Sequence, residues 1–331
     1  MVWFKRAFTL IALGVLIYLF LPLIGELRSA AGLFLKARWG WLLAALLIQL
    51  LSYGSLAGLN LRLLNAFQGK ISFTRVLTIL PTIAFIEVAV PSAGASGVAL
   101  RARFLGRSGF SIEVSTFTVI MEGIYLSIAF SVVSISGFWH LLRTGELSSL
   151  QASLVAGLIL LFLSVLVGGF WIGRDRSRTN RLLLRLSGPW NRFAPRLHAK
   201  PVNPETIGER LDAFYIDLAN LRRLSPLPFI ILAFTRVSLD IATLGLCFLA
   251  FSFVIKPGVL ITGYGIMLAA SGLAALPGGL GMAEASLPVI YARLGAPGAV
   301  AIAAALAYRL IAFWLVRFIG FINWQLLEAR T

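Results

Sequence analysis

AALPGGLGMAEASL, residues 274–287, is the stretch on which the fold turns. It sits within a strongly apolar region, yet it holds Pro277, Gly278, Gly279, Gly281 and Glu284. Proline removes a helical donor, and glycine gives up more conformational freedom in a helix than other residues do. In hydrocarbon, a backbone so interrupted survives only where protein or a water-filled cavity receives its freed polar groups. The stretch therefore predicts a helix that breaks at membrane depth and turns back, with a carboxylate beside the break.

The setting follows from composition. Of 331 residues, 59% are hydrophobic and 13% charged, which describes an integral membrane protein rather than a water-soluble domain. Apolar peaks fall at about 7–24, 39–59, 74–90, 114–136, 150–172, 226–253, 259–276 and 296–322, against the ~20 residues that a helix needs to cross a bilayer. The formal charge of +16 is read as cytoplasmic loops over anionic lipid, not as a nucleic-acid surface. Cys247 is the single cysteine, so no intrachain disulfide forms, and His140 and His198 have no second ligand at metal spacing. Neither a cofactor nor a metal is expected, and no catalytic residue is assigned.

The longest polar stretch, 173–225, is rich in arginine, from Arg174 to Arg223, and belongs in the cytoplasm. Its second half predicts an amphipathic helix capped by Asn203 and opened by Pro204. Ile207, Leu211, Phe214, Leu218 and Leu221 share one face, which is expected to lie on the inner leaflet. A cytoplasmic amino terminus followed by five full spans would put this loop on the wrong side, so one earlier peak must not cross. The region about 76–104, interrupted by Pro81, Pro91, Gly94 and Gly97, is expected to be a re-entrant hairpin.

The stretch at 274–287 repeats that design in a second hairpin, about 259–294. A charged residue follows each break at nearly equal distance: Glu122 lies 31 residues after Pro91 and Arg309 lies 32 after Pro277. The expected fold is thus an all-α polytopic membrane protein with about six full spans and two re-entrant hairpins in two inverted repeats. Residues 1–172 form the first membrane half, 173–225 the basic segment and 226–331 the second half, with both termini cytoplasmic. Broken helices meeting near the midplane are a transporter's architecture.

Each charge at the centre of a span costs roughly 2.5–3.5 kcal/mol or more unless it is paired or hydrated. Arg236 and Asp240 stand four apart on one helical face and can neutralise each other. Glu87, Glu122, Glu284 and Arg309 have no such local partner. They are expected around a shared polar cavity, as interhelical pairs such as Glu122 with Arg309, or as a head-group site. A lipid phosphate needs a bidentate cation, which Arg309 and Arg101 or Arg103 can supply; the inward carboxylates suit an amine or a coupling proton or ion. Arg101 and Arg103 read equally well as anchors of the first hairpin at the inner face, and Arg317 is read as marking the cytoplasmic end of the last span. Tyr125 and Tyr308 stand near Glu122 and Arg309.

The segment PGGLGMAEASLPVIYARLGAPGAVAIAAALAYRLIAFWLVRFIG, 277–320, resembles the closing motif of the lysylphosphatidylglycerol synthase transmembrane family, at Pro277, Gly279, Gly281, Glu284, Gly295, Pro297 and Arg309. VAVPSAGASGVALRARFLGRSGFS resembles the family's first block, at Pro91, Gly97, Arg101 and Gly106. The resemblance implies a phospholipid flippase of a bacterial-type cytoplasmic membrane. Its cargo would be an anionic or aminoacylated phospholipid or a polyprenyl-phosphate-linked lipid, moved without the aminoacyl transferase that larger members carry. Membrane lipids are then the substrate, with a homodimer and lipid-synthesising enzymes as compatible partners. An intramembrane lipid-modifying enzyme and a carrier of small soluble anions are the alternatives.

Overall fold

The computed structural model describes residues 27–67, 70–89, 95–145, 149–193, 203–274 and 282–328. The expected first span, 7–24, lies outside them, as do the predicted breaks at Pro91, Gly94, Pro277, Gly279 and Gly281. Every regular element among the described residues is helical, and the chain is an all-helical polytopic membrane protein. The first half holds α1 (Leu27–Leu35), α2 (Trp39–Leu64), α3 (Phe73–Ala89), α4 (Ala95–Gly106), α5 (Ile112–Thr144) and α6 (Ser149–Gly173). The basic segment folds as α7 (Arg176–Phe193) and α8 (Pro204–Arg222). The second half holds α9 (Leu227–Ala250), α10 (Pro257–Ala274), α11 (Met282–Arg293), α12 (Gly298–Arg309), a π-helical turn (Leu310–Trp314) and α13 (Leu315–Glu328).

Among the described residues, four stretches are long and apolar enough to cross a membrane: Trp39–Leu64, Ile112–Arg143, Leu227–Ala250 and Gly298–Leu326. Helix α6 adds 25 residues without a charged side chain. On α5, Ile120, Ile124, Ile128, Val132 and Ile135 form an exposed stripe at helical spacing. Water would penalise that apolar area, whereas hydrocarbon accepts it.

Helices α2 and α9 pack side by side through the centre. They run antiparallel, since Gln49 and Ser52 of α2 meet Asp240 and Arg236 of α9, and Gly58 meets Leu232. The legs of each expected hairpin, α3 with α4 and α10 with α11, pack against one another. Two further contacts are reciprocal. The last helix of the second half, α13, lies on α3, and the long helix of the first half, α5, lies on α10. At the first crossing a Cβ on Gly320 would fall 2.0 Å from the Pro81 carbonyl oxygen, so only glycine lets α13 approach so closely. Phe85 then meets Phe321 edge-on at 5.3 Å, and Asn323 donates to the Thr78 carbonyl.

Helix α8 begins as expected, with the Asn203 side chain accepting from the Glu205 amide at 3.1 Å and Pro204 in the first turn. Its apolar face corrects the expectation of a lipid-facing surface. Ile207, Leu211 and Leu221 are buried within the protein, and Phe214 packs edge-on against Phe117 of α5 at 5.2 Å. The exposed leucines belong to α7, where Leu182, Leu183, Leu184 and Leu186 stand among Arg181, Arg185 and Arg192.

Candidate translocation site

Among the described residues, six charged side chains inside the bundle form three ion pairs, each joining two elements or two turns. Helix α4 directs Arg101 at α5, where both terminal nitrogens donate to one Glu122 oxygen at 2.8 Å. Helix α12 directs Arg309 back at α11, where Nε and Nη2 donate to Glu284 Oε1 at 2.8 and 2.6 Å. Within α9, Arg236 Nη1 donates to Asp240 Oδ1 at 2.7 Å across one turn.

The first two pairs have the same construction with the charges exchanged. In each, the second leg of a hairpin is tied to the helix that follows it. The first hairpin contributes the cation and receives the carboxylate, and the second does the reverse. The expected pairing of Glu122 with Arg309 is therefore corrected: each charge is neutralised within its own half, because the short connection after each hairpin leg brings the next helix alongside. Both arginines are buried, while Glu122 and Glu284 are more accessible, at 16% and 25% of their side chains.

The Arg236–Asp240 pair is the centre of a larger cluster. Asp240 accepts from Gln49 Nε2 at 2.9 Å, from the Tyr308 hydroxyl at 2.9 Å and from the Tyr264 hydroxyl. Arg236 in turn donates to Ser52 Oγ and lies over the Tyr53 ring, 5.0 Å from its centre. A buried carboxylate needs such donors to remain charged, and these come from α2, α10 and α12 as well as α9. The cluster joins α2 of the first half to α9, α10 and α12 of the second. Tyr308 serves Asp240 rather than Arg309, and Tyr125 stacks on Phe229 at 5.4 Å.

Glu87 of α3 lies within electrostatic reach of Arg101, Glu122 and Arg317. Its carboxylate rests directly on α4: a Cβ on Gly97 would fall 2.1 Å from Glu87 Oε1. Gly97 lies inside α4, which corrects the expectation of a break there; it acts instead through close approach, letting Glu87 reach the Arg101 neighbourhood. Arg103 is exposed and joins no described ion pair, so the structure separates it from the site.

Arg317 corrects a further expectation. It lies inside the Gly298–Leu326 span, with its guanidinium 3.5 Å from the centre of the Phe313 ring; Arg309 lies 3.9 Å from the same centre. Gln49, Ser52, Tyr53, Tyr264 and Phe313 are further members that the sequence reading passed over. The polar trio in QLLSY, 49–53, inside an apolar helix was the available signal for three of them.

The family model of the lysylphosphatidylglycerol synthase TM region matches residues 9–320. The chain belongs to that family. The matched range includes the residues of all three ion pairs and Arg317. No curated protein matches the chain.

Proposed function

We propose that the chain is a lipid translocase that passes an anionic or aminoacylated phospholipid, or a polyprenyl-phosphate-linked lipid, between leaflets. The observation that carries this reading is the pair of exchanged salt bridges, Arg101–Glu122 and Glu284–Arg309. A phosphate competes with a carboxylate for a guanidinium, and an amine competes with a guanidinium for a carboxylate. Each hairpin therefore carries a latch that a charged head group opens by taking one partner's place. Two latches of opposite construction suit alternating access, in which one hairpin yields while the other stays closed. The acyl tails remain in the hydrocarbon throughout.

The antiparallel α2 and α9, and the reciprocal packing of α13 on α3 and α5 on α10, support two inverted repeats. In this arrangement both termini and the basic segment face the cytoplasm of a bacterial-type cell. Helix α7, with its exposed leucines among arginines, lies along the inner leaflet.

The test is dithionite quenching of fluorescent phospholipids and polyprenyl phosphates in proteoliposomes. Wild-type protein is expected to remove inner-leaflet protection, and folded Glu284→Gln and Arg309→Ala variants are expected to restore it. Wild-type vesicles indistinguishable from empty ones for every lipid would overturn the reading in favour of an intramembrane enzyme or a soluble-anion carrier.

A further inference from the structure

The π-helical turn Leu310–Trp314 lies between the two arginines of the last span. Such turns insert one extra residue into a helix and are frequent at functional sites. On an uninterrupted helix, residues eight apart differ by about 80° around the axis; the inserted residue brings the difference to about 20°. Arg309 and Arg317 thus come onto one face, two turns apart. Each is four residues from Phe313, and both guanidinium groups lie over its ring, 3.9 and 3.5 Å from the centre.

The two cations are equipped differently. Arg309 uses its Nε and Nη2 edge to hold Glu284. Arg317 spends Nη1 on the Phe313 carbonyl at 3.2 Å, while its Nε is buried and has no hydrogen-bond partner. Among the described residues no carboxylate lies within ion-pair distance of Arg317; Glu87 acts on it only at longer range, and the Tyr53 hydroxyl adjoins it. The side of the guanidinium that binds a carboxylate in Arg309 is thus left without an acid in Arg317. The residue is partly exposed, so an anion can approach the guanidinium, and a shift of the side chain brings the buried Nε within its reach.

We infer that Arg317, with Arg309 at the same Phe313 ring, forms a phosphate-binding station, in which the Nε and Nη2 edge of Arg317 holds two phosphate oxygens. The fork geometry fits a phosphate, and both guanidinium groups lie against the Phe313 ring. Two stations along one helix face let a phosphate move from Arg317 to Arg309 by displacing Glu284. The lipid form of this inference rests on the translocase reading; anion binding itself does not.

The experiment is native mass spectrometry of the full chain in detergent, titrated with phosphatidic acid, diacylglycerol or inorganic phosphate, for wild type, Arg317→Gln and Arg317→Lys. Phosphatidic acid is expected to bind roughly tenfold more weakly to Arg317→Gln and a few-fold more weakly to Arg317→Lys, which keeps the charge but not the fork, with diacylglycerol unchanged. Arg317-dependent binding of inorganic phosphate alone would support the station and assign its source to a soluble anion. Equal phosphatidic acid affinity in wild type and Arg317→Gln would overturn it. Should Arg317→Gln not fold, equal affinity in Arg317→Lys overturns it equally. Because binding is read apart from transport, Arg317-dependent binding by a protein that scrambles no lipid would retain the station and discard the translocase.

Discussion

Arg101 reaches Glu122 with both of its terminal nitrogens, 2.8 Å from a single carboxylate oxygen, and so ties the middle of α4 to the first third of α5. Both groups are largely withdrawn from solvent, so removing one leaves the other uncompensated. Arg101→Gln is expected to cost about 3–5 kcal/mol of stability, whereas the exchanged pair Arg101→Glu with Glu122→Arg recovers much of it. Thermal unfolding in detergent checks this; an exchange as damaging as the single change would show that orientation, not charge balance, holds the pair.

Gly97 and Glu87 predict a coupled pair of substitutions. A methyl group at 97 falls 2.1 Å from Glu87 Oε1, so Gly97→Ala must push Glu87 away from Arg101, at a cost of about 1–3 kcal/mol. Adding Glu87→Ala clears the space, and the double variant is expected to unfold at a higher temperature than Gly97→Ala alone. Additive losses would show that the two side chains do not compete for that space.

Asp240 predicts a graded series. Asp240→Asn leaves Arg236 buried without its counter-charge, for a loss of about 3–5 kcal/mol. Tyr308→Phe deletes one donor among several and is expected to cost about 1.5–3 kcal/mol. Denaturation midpoints order the two; a Tyr308→Phe loss as large as that of Asp240→Asn would mean that the tyrosine carries the cluster.

Much of this is legible in the sequence. The proline and glycine clusters that follow α3 and α10 lie outside the described residues, so the breaks themselves rest on the sequence alone. The charges stood out because an apolar span tolerates so few. Which cation meets which carboxylate was not legible: Arg101 and Glu122 are 21 residues apart, and nothing in one chain's order separates a partner in the same half from one in the other. Arg317 was misjudged for another reason. Its azimuth depends on a π-helical turn, and LIAFW carries no residue that distinguishes such a turn from ordinary helix. The apolar faces of α7 and α8 are both visible in the sequence, but only packing decides that α8 turns its face to α5.

Outside the membrane spans, Asp217 of α8 predicts a pH dependence. Burial, and then the neighbouring Glu113 carboxylate, hold its carboxyl above the ordinary aspartate range. The folded chain then keeps this proton more tightly than the unfolded one. That contribution is complete below the ordinary range and is lost as pH rises through the folded-state value. Asp217→Asn is expected to raise the thermal midpoint at neutral pH and to leave it unchanged in acid. A neutral-pH midpoint unchanged by the substitution would show that water relieves the carboxylate.

The close seat of Gly320 on Pro81 bears on the order of assembly during synthesis. Helix α3 leaves the ribosome early, but the surface it rests on is made more than two hundred residues later. Until then, the first hairpin must wait beside a neighbour that does not yet exist, with its glutamate and arginine inside the lipid. A chain arrested shortly before α13 would therefore be damaged first near its beginning, and quality-control proteases would be expected to cut around the first hairpin rather than at the truncated end.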